Sequence, residues 1–212
     1  MIGKFRIAIW VAVAVLIGVV IGFGGLLPGT LPTRESMSSG VARIGGPFSL
    51  TSHKGETIDN RRLTGKPYLV FFGFTNCPDI CPTTLYELTE LMADLGPSAD
   101  RLTPLFITVD PERDTQAVLV EYMSAFDSRI IALRGDQTAT NAAAKAFWAY
   151  YKKVPTESGY TMDHTAGVIL MDAEGRVAGT LDMQEPRQTR LAKLKKLSEP
   201  RCAHDRRMAA AS

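Results

Sequence analysis

Two cysteines, Cys77 and Cys81, lie where a predicted strand is followed by a predicted helix. The strand prediction comes from Tyr68–Phe74, an apolar run rich in aromatic and β-branched residues and bounded by turn-forming residues. Leucines at helical spacing indicate a helix over residues 85–95, and Pro82 suits its first turn. The two thiols are therefore expected at the N-terminus of a helix that follows a buried strand.

This placement gives the cysteine pair a specific chemistry. A helix N-terminus carries partial positive charge and free N–H groups, which favour a thiolate over a thiol. Because Cys77 and Cys81 are four residues apart, both sulfur atoms can converge on one point. They could then close a disulfide or bind a soft metal ion. The alternative is a pair of buried, inert cysteines or a purely structural disulfide.

Residues 7–27 form an uncharged apolar run of 21 residues that follows Lys4 and Arg6. As a helix this run would be about 31 Å long, which matches the hydrocarbon core of a bilayer. A cleaved signal peptide is the alternative, but its apolar region should be shorter, about 7–15 residues. We therefore predict a retained transmembrane anchor, with residues 1–6 in the cytoplasm. The protein would be a single-pass inner-membrane protein with its folded domain in the periplasm or an equivalent intermembrane space.

The net charge of +2 is unevenly distributed. Residues 187–212 hold eight Lys or Arg against two acidic residues, so the region between anchor and tail is mildly acidic. Nothing in this distribution indicates a nucleic-acid-binding surface, and no nucleic acid is expected as a partner. Cys202 is left over if Cys77 and Cys81 act together. An exported compartment permits disulfides, so a reactive pair there requires a reductant, and we expect a thioredoxin-like one.

The remaining pattern predicts one folded domain. Residues 28–40 are rich in Pro, Gly, Ser and Thr and indicate a linker, followed by a domain at 41–198 and a basic tail at 199–212. The domain would begin with a β-hairpin, continue with alternating strands and helices, and close with a second hairpin and a helix. One of the helices, rich in alanine, is predicted over residues 138–151. Such an order indicates an α/β fold, a thioredoxin-like mixed sheet with flanking helices.

His164 is a candidate third ligand among the three histidines of the chain. In a thioredoxin-like fold the loop before the closing hairpin lies next to the cysteine-bearing helix, so His164 could meet Cys77 and Cys81. Two thiolates and an imidazole form a soft donor set that suits Cu(I) and can also hold Cu(II). A structural zinc site would need a fourth protein ligand. The acidic residues available are hard ligands that are better explained as turn residues and helix caps: Asp79, Asp110 and Asp114.

Four motifs together resemble the Sco/SenC/PrrC family of copper-binding, membrane-anchored, thioredoxin-like proteins. They are Gly65-Lys-Pro, Phe72-Gly-Phe-Thr-Asn-Cys-Pro-Asp-Ile-Cys-Pro, Val109-Asp-Pro-Glu-Arg-Asp-Thr and Tyr160-Thr-Met-Asp-His-Thr. The resemblance implies that Cys77, Cys81 and His164 bind copper. It also implies delivery of copper to the dinuclear copper centre of cytochrome c oxidase subunit II, or reduction of that subunit's cysteines. Asp110 and Asp114 match the acidic motif of the family, for which a structural or supporting role is expected.

Three functions remain open at this point. The first is a copper metallochaperone, which would be a binding protein and not an enzyme. The second is a membrane-anchored thiol–disulfide oxidoreductase, in which one cysteine attacks a partner disulfide and the other resolves it. The third is a redox or copper sensor in the membrane. His164 favours the first function, because a dithiol enzyme does not need an imidazole ligand.

Overall fold

The computed structural model describes residues 44–199. The predicted N-terminal segment, anchor and linker, at residues 1–6, 7–27 and 28–40, lie outside these residues, as does the tail beyond residue 199. Within residues 44–199, no helix is long and apolar enough to cross a membrane.

Nine strands and five α-helices make up the described part of the chain. The strands are β1 (Ser49–Ser52), β2 (Thr57–Asp59), β3 (Tyr68–Gly73), β4 (Thr103–Thr108), β5 (Ile131–Arg134), β6 (Tyr151–Thr156), β7 (Gly159–His164), β8 (Val168–Met171) and β9 (Val177–Leu181). The helices are α1 (Asn60–Leu63), α2 (Ile80–Leu95), α3 (Gln116–Met123), α4 (Gln137–Ala146) and α5 (Arg187–Ser198), and a 3₁₀ helix follows α2 at Gly96–Arg101.

Seven of these strands form one sheet in the order β2-β1-β5-β4-β3-β8-β9. β3, β4 and β5 run parallel, whereas the outer strands pair antiparallel, so the sheet is mixed. All six residues of β3 are buried, because its apolar run lies between β4 and β8. The predicted α/β fold with a mixed sheet and an N-terminal hairpin is confirmed.

Helix α2 begins a few residues after the central strand and is fixed from two sides. Its buried positions recur every three or four residues, as in an amphipathic helix, and they are Cys81, Thr84, Leu85, Leu88, Leu91, Met92 and Leu95. On another part of its surface, Asp94 accepts a hydrogen bond of 2.8 Å from Arg187 of α5, and Glu87 lies 3.1 Å from Arg190. Core packing on one side and ion pairs with α5 on the other therefore fix α2 and its Cys81.

The chain between α4 and β8 differs from the prediction. α4 ends at Ala146, and Trp148 adopts a φ of 56°, a left-handed conformation that a non-glycine side chain rarely takes. The helix predicted over residues 138–151 was therefore too long. Instead, β6 and β7 form a second, two-stranded sheet that pairs with no other strand of the described chain. In this hairpin Tyr151 pairs with His164, so the histidine ends a strand and does not lie in a loop.

Candidate metal centre

The connection between β3 and α2 brings the two cysteines together. Cys77 lies in this connection and Cys81 is the second residue of α2. The backbone N–H of Cys81 points at the Cys77 sulfur, with a distance of 3.4 Å between N and Sγ. An unpaired N–H at a helix N-terminus stabilises negative charge on such a sulfur. Both cysteines are free thiols.

Cys81 differs from Cys77 in its surroundings. It is completely buried, whereas Cys77 is partly exposed. Burial raises the pKa of the Cys81 thiol, and the nearby Cys77 and Asp114 raise it further, although a backbone hydrogen bond from Phe74 acts in the opposite direction. At Cys81, burial therefore acts against the thiolate that a helix N-terminus favours.

His164 faces this pair from the end of β7. Its Nε2 lies 3.4 Å from the Cys81 sulfur, across 83 residues of sequence. Its Nδ1 lies 3.1 Å from the carbonyl oxygen of Thr165. A carbonyl can only accept, so this hydrogen bond requires the proton on Nδ1, which leaves the lone pair of Nε2 directed at the sulfur. The edges of Phe74 and Phe71 flank the imidazole, with ring centroids 5.7 Å and 6.2 Å away.

The three donor atoms form one compact group. Within residues 44–199, Cys77, Cys81 and His164 are the one set of three such side chains close enough to hold a metal ion, with donor atoms within 4.8 Å of one another. Bonds of about 2.3 Å to sulfur and 2.0 Å to nitrogen, the lengths found for zinc, would place trigonal donors about 3.7–4.0 Å apart. Small movements would therefore bring all three donors to one ion. Two sulfurs and one imidazole suit copper better than a hard cation.

A family model described as SCO1/SenC matches residues 36–199 of the chain. The chain belongs to the SCO1/SenC family. An SCO2-like protein of Rickettsia felis is 35% identical over 177 residues, which cover 78% of this chain and 86% of that protein.

Two solved structures extend the comparison to the fold. Bradyrhizobium japonicum ScoI, solved with copper bound, has 43% sequence identity and a TM-score of 0.69, and the match covers 73% of this chain and 99% of that one. BsSco, described as a member of the Sco family of cytochrome c oxidase assembly proteins, has 24% identity, a TM-score of 0.60 and coverage of 74% and 94%. The BsSco likeness shows the fold alone, and the ScoI match confirms the thioredoxin-like arrangement predicted for this SCO1/SenC protein.

In this SCO1/SenC protein, Asp114 stabilises the connection between β3 and α2 and lies outside the donor group. Its buried carboxylate accepts hydrogen bonds from the N–H of Thr75 at 3.1 Å, from the Thr75 hydroxyl at 2.6 Å, and from the Thr108 hydroxyl. Burial raises the pKa of Asp114 against the lowering effect of these donors. Asp114 is not the cap of α3; Thr115 caps this helix, because its hydroxyl accepts from the Val118 N–H. Asp114 thus fixes the residues that lead to Cys77.

Asp79 and Asp110 also lie outside the donor group. Asp79 precedes α2 without accepting a backbone N–H, and its carboxylate accepts a hydrogen bond from the Thr83 hydroxyl at 3.3 Å. Asp110 is buried and binds Arg113 and Tyr160, a contact between the acidic motif and β7 that no local sequence pattern indicates. The one sequence feature that could have indicated this contact is that Tyr160 belongs to the same motif as His164.

Gly73 leaves room for the Cys81 sulfur, which gives a first prediction. A Cβ at this position would lie 2.7 Å from Cε2 of Phe106 and 2.8 Å from Sγ of Cys81. We expect Gly73→Ala to displace the thiol, weaken metal binding and lower the free energy of unfolding by about 1–3 kcal/mol, the usual cost of overpacking. Chemical denaturation and copper titration measure the two effects. Gly167→Ala is the matched control, because its Cβ would meet no atom within 4 Å; equal effects of both variants would contradict the prediction.

The unequal exposure of the thiols gives a second prediction. Cys77 is partly exposed and faces an N–H donor, whereas Cys81 is buried with a raised thiol pKa. Since the thiolate is the reactive form, iodoacetamide at neutral pH should modify Cys77 at least about tenfold faster than Cys81 in the metal-free protein. Peptide mass spectrometry at short times measures both rates. Faster modification of Cys81 would contradict the assignment of Cys77 as the accessible nucleophile.

Proposed function

We propose that this protein is a copper metallochaperone that holds Cu(I) or Cu(II) through Cys77, Cys81 and His164. The observation that carries the proposal is the convergence of these donors, with 3.4 Å between Cys81 Sγ and His164 Nε2. The related ScoI of Bradyrhizobium japonicum, solved with copper bound, supports the same ion here. This function is that of a binding protein, and it requires no catalytic residue.

Each donor has a distinct part in binding. The two thiolates supply the soft sulfur ligands that Cu(I) prefers, and two of them are enough to hold this ion. The imidazole nitrogen adds the harder donor that Cu(II) needs. Because the pKa of the Cys81 thiol is raised, copper must displace the Cys81 proton when it binds. Cys77, which is partly exposed, would form the side of the site that faces an acceptor.

The proposed acceptor is the dinuclear copper centre of cytochrome c oxidase subunit II. The motif resemblance supports this choice, together with membership of the SCO1/SenC family. An acceptor with soft ligands of its own could take the ion by ligand exchange. A thioredoxin-like reductant in the same compartment would keep the pair in its dithiol form.

We further propose that residues 7–27 anchor the protein in the membrane and place the domain in the periplasm or intermembrane space. The uncharged run behind Lys4 and Arg6 supports this topology. The N-terminal sequence of the mature protein tests it. A mature chain that begins near Leu31 would show cleavage and exclude the anchor.

A second candidate function is thiol–disulfide exchange, and the unequal burial of the cysteines favours it. Cys77 would attack a partner disulfide as a thiolate, form a mixed disulfide and release one partner thiolate, which takes up a proton. Cys81 would then lose its proton and attack Cys77, releasing the second partner thiol. The partner is reduced by two electrons and Cys77–Cys81 becomes a disulfide, which the thioredoxin-like reductant must reduce.

One experiment separates the two functions. Reduced full-length protein loaded with one equivalent of Cu(I) is mixed with the copper-free dithiol form of the copper-binding domain of subunit II. Copper-free reduced protein is mixed with the disulfide form of the same domain. A metallochaperone transfers copper to the dithiol acceptor, and this transfer is slowed or reduced by His164→Ala. An oxidoreductase reduces the disulfide acceptor at a rate that His164→Ala leaves unchanged. Failure of the reduced protein to bind copper at all would overturn the metallochaperone function.

A further inference from the structure

The strand that ends in His164 is held by side chains of the turn after β4. Tyr160 of β7 donates its hydroxyl proton to Oδ1 of Asp110, with 2.9 Å between the oxygen atoms. Arg113 donates from Nη1 to the backbone carbonyl of Tyr160 at 2.9 Å, and its guanidinium carbon lies 3.8 Å from the centroid of the Tyr160 ring. Arg113 also pairs with Asp110 through Nε. These three residues, Asp110, Arg113 and Tyr160, form a closed set of contacts that we call the tyrosine latch.

A second cation reinforces the tyrosine latch from the other strand of the hairpin. Lys153 of β6 lies with its Nζ 4.1 Å from the centroid of the Tyr160 ring, and it pairs with Glu112 at 2.7 Å. A cation over an aromatic face is attracted by the ring, more strongly where water is partly excluded. Lys153 itself is exposed, so its contact with Tyr160 lies at the surface. Both strands of the hairpin are therefore attached to residues 110–113.

The hairpin is attached to the rest of the described domain by the tyrosine latch, by the buried side chain of Met162 and by its base. β6 and β7 pair only with each other among the described strands. At the base of the hairpin, the Tyr151 hydroxyl bonds to Gln137 and Asn141 of α4. Because side chains alternate along a strand, Tyr160 and His164 lie on the same face of β7 as the buried Met162. The contacts of Tyr160 with residues 110–113 and the burial of Met162 therefore act together on the direction of this face.

The tyrosine latch also contacts Phe74, one of the two aromatic rings beside the His164 imidazole. The Arg113 guanidinium carbon lies 5.9 Å from the centroid of Phe74. The Phe74 ring is in turn perpendicular to the His164 imidazole, with 5.7 Å between the ring centroids. The backbone carbonyl of Phe74 accepts a hydrogen bond from the N–H of Cys77 at 3.3 Å. Arg113 therefore contacts both β7, the strand that ends in His164, and the Phe74 ring beside the imidazole.

We propose that the tyrosine latch is a positioning device that holds His164 over the cysteine pair and so sets the preference of the site between Cu(II) and Cu(I). This inference rests on the proposed copper site. The thiols belong to α2 and its connection to β3, which Asp114 and the core fix independently of the hairpin. Release of the tyrosine latch thus moves the nitrogen donor away from two sulfurs that stay in place. Cu(II), which needs nitrogen, loses affinity, whereas Cu(I) keeps its two thiolates.

The test uses Tyr160→Leu in full-length reduced protein, both alone and combined with His164→Ala. We expect Tyr160→Leu to lower the Cu(II) affinity by about tenfold, in line with the loss of cation–π contacts, and the Cu(I) affinity by less than about threefold. In the His164→Ala background, the same change should have no further effect on Cu(II), because the tyrosine latch acts only through the imidazole. Tyr160→Phe keeps the ring over both cations and should retain most of the Cu(II) affinity. Tyr86→Leu, at an exposed tyrosine of α2, is the control.

A metal-free measurement separates failure of this inference from failure of the copper site. Hydrogen exchange of the β6 and β7 amides, and the NMR shifts of the His164 ring, should both change in metal-free Tyr160→Leu and not in Tyr86→Leu. If they do not change, or if Tyr160→Leu lowers Cu(II) and Cu(I) affinity equally, or acts equally in both His164 backgrounds, the proposal is overturned. If the hairpin loosens but the parent protein binds no Cu(II), the positioning of His164 stands as a structural fact. The preference between the two copper ions is then overturned together with the proposed function.

Discussion

Replacement of His164 by alanine is expected to remove most Cu(II) binding and to leave a substantial part of the Cu(I) affinity. The imidazole is the one nitrogen donor in the group, with its Nε2 3.4 Å from the Cys81 sulfur. Changes to outer-shell partners of a metal alone reduce affinity by 10–100-fold, so the loss of a direct ligand should cost Cu(II) more than about 100-fold. Cu(I) retains two thiolates and should lose less. Titration with each oxidation state, together with the Cu(II) absorption spectrum, measures the difference.

A matched histidine controls for general effects of the substitution. His53 is also partly buried and accepts a hydrogen bond from the Ala132 N–H at 3.1 Å, but it is not part of the donor group. His53→Ala should leave both copper affinities unchanged, and circular dichroism should show that both variants are folded. An unchanged Cu(II) spectrum in His164→Ala would exclude this residue as the third ligand. The protein would then be better described as a dithiol oxidoreductase.

Oxidation of Cys77 and Cys81 to a disulfide is expected to abolish Cu(I) binding. The disulfide sulfurs no longer carry the thiolate charge that holds the ion, so two of the three donors are lost in one step. The affinity of the oxidised protein should fall below about one hundredth of that of the dithiol form, since even outer-shell changes cost up to that factor. Competition with a Cu(I) chelator of known affinity, before and after treatment with a reductant, measures the change.

The contribution of the third cysteine, Cys202, to Cu(I) binding has to be removed from this measurement. Cys202→Ser removes a thiol that could bind copper or exchange with the pair, and it leaves Cys77 and Cys81 intact. In this background, Cys77→Ser and Cys81→Ser should each weaken Cu(I) binding in the reduced protein, and neither should respond to oxidant. Oxidised protein that bound Cu(I) as tightly as the dithiol form would contradict the proposed ligand set.

The sequence was sufficient to predict the centre of the fold because its signals there are local. The apolar run of β3 and the leucine spacing of α2 each identify one element, and the position of both cysteines follows from them. The proximity of His164 to this pair was predictable only by way of the fold. No local pattern connects residues that lie 83 positions apart.

The hairpin that carries His164 was missed for a physical reason. β6 is mostly exposed, so its sequence lacks the alternation of apolar and polar residues that marks a half-buried strand. The predicted helix ran on to Tyr151, because no glycine or proline marks its true end at Ala146; instead, Trp148 takes the left-handed conformation that glycine usually provides. The tyrosine latch was equally hidden, since its contacts join residues 47 and 50 positions apart.

The long separation between the sulfur and nitrogen donors also links copper to folding in two different ways. In an unfolded chain, Cys77 and Cys81 remain four residues apart and can still share a Cu(I) ion, but His164 is lost from the set. A ligand raises the thermal unfolding midpoint only as far as it prefers the native state to the unfolded one. Cu(II) depends on all three donors, so it binds almost only to the native state. For equal native-state affinity, it therefore protects the domain against heat more than Cu(I) does.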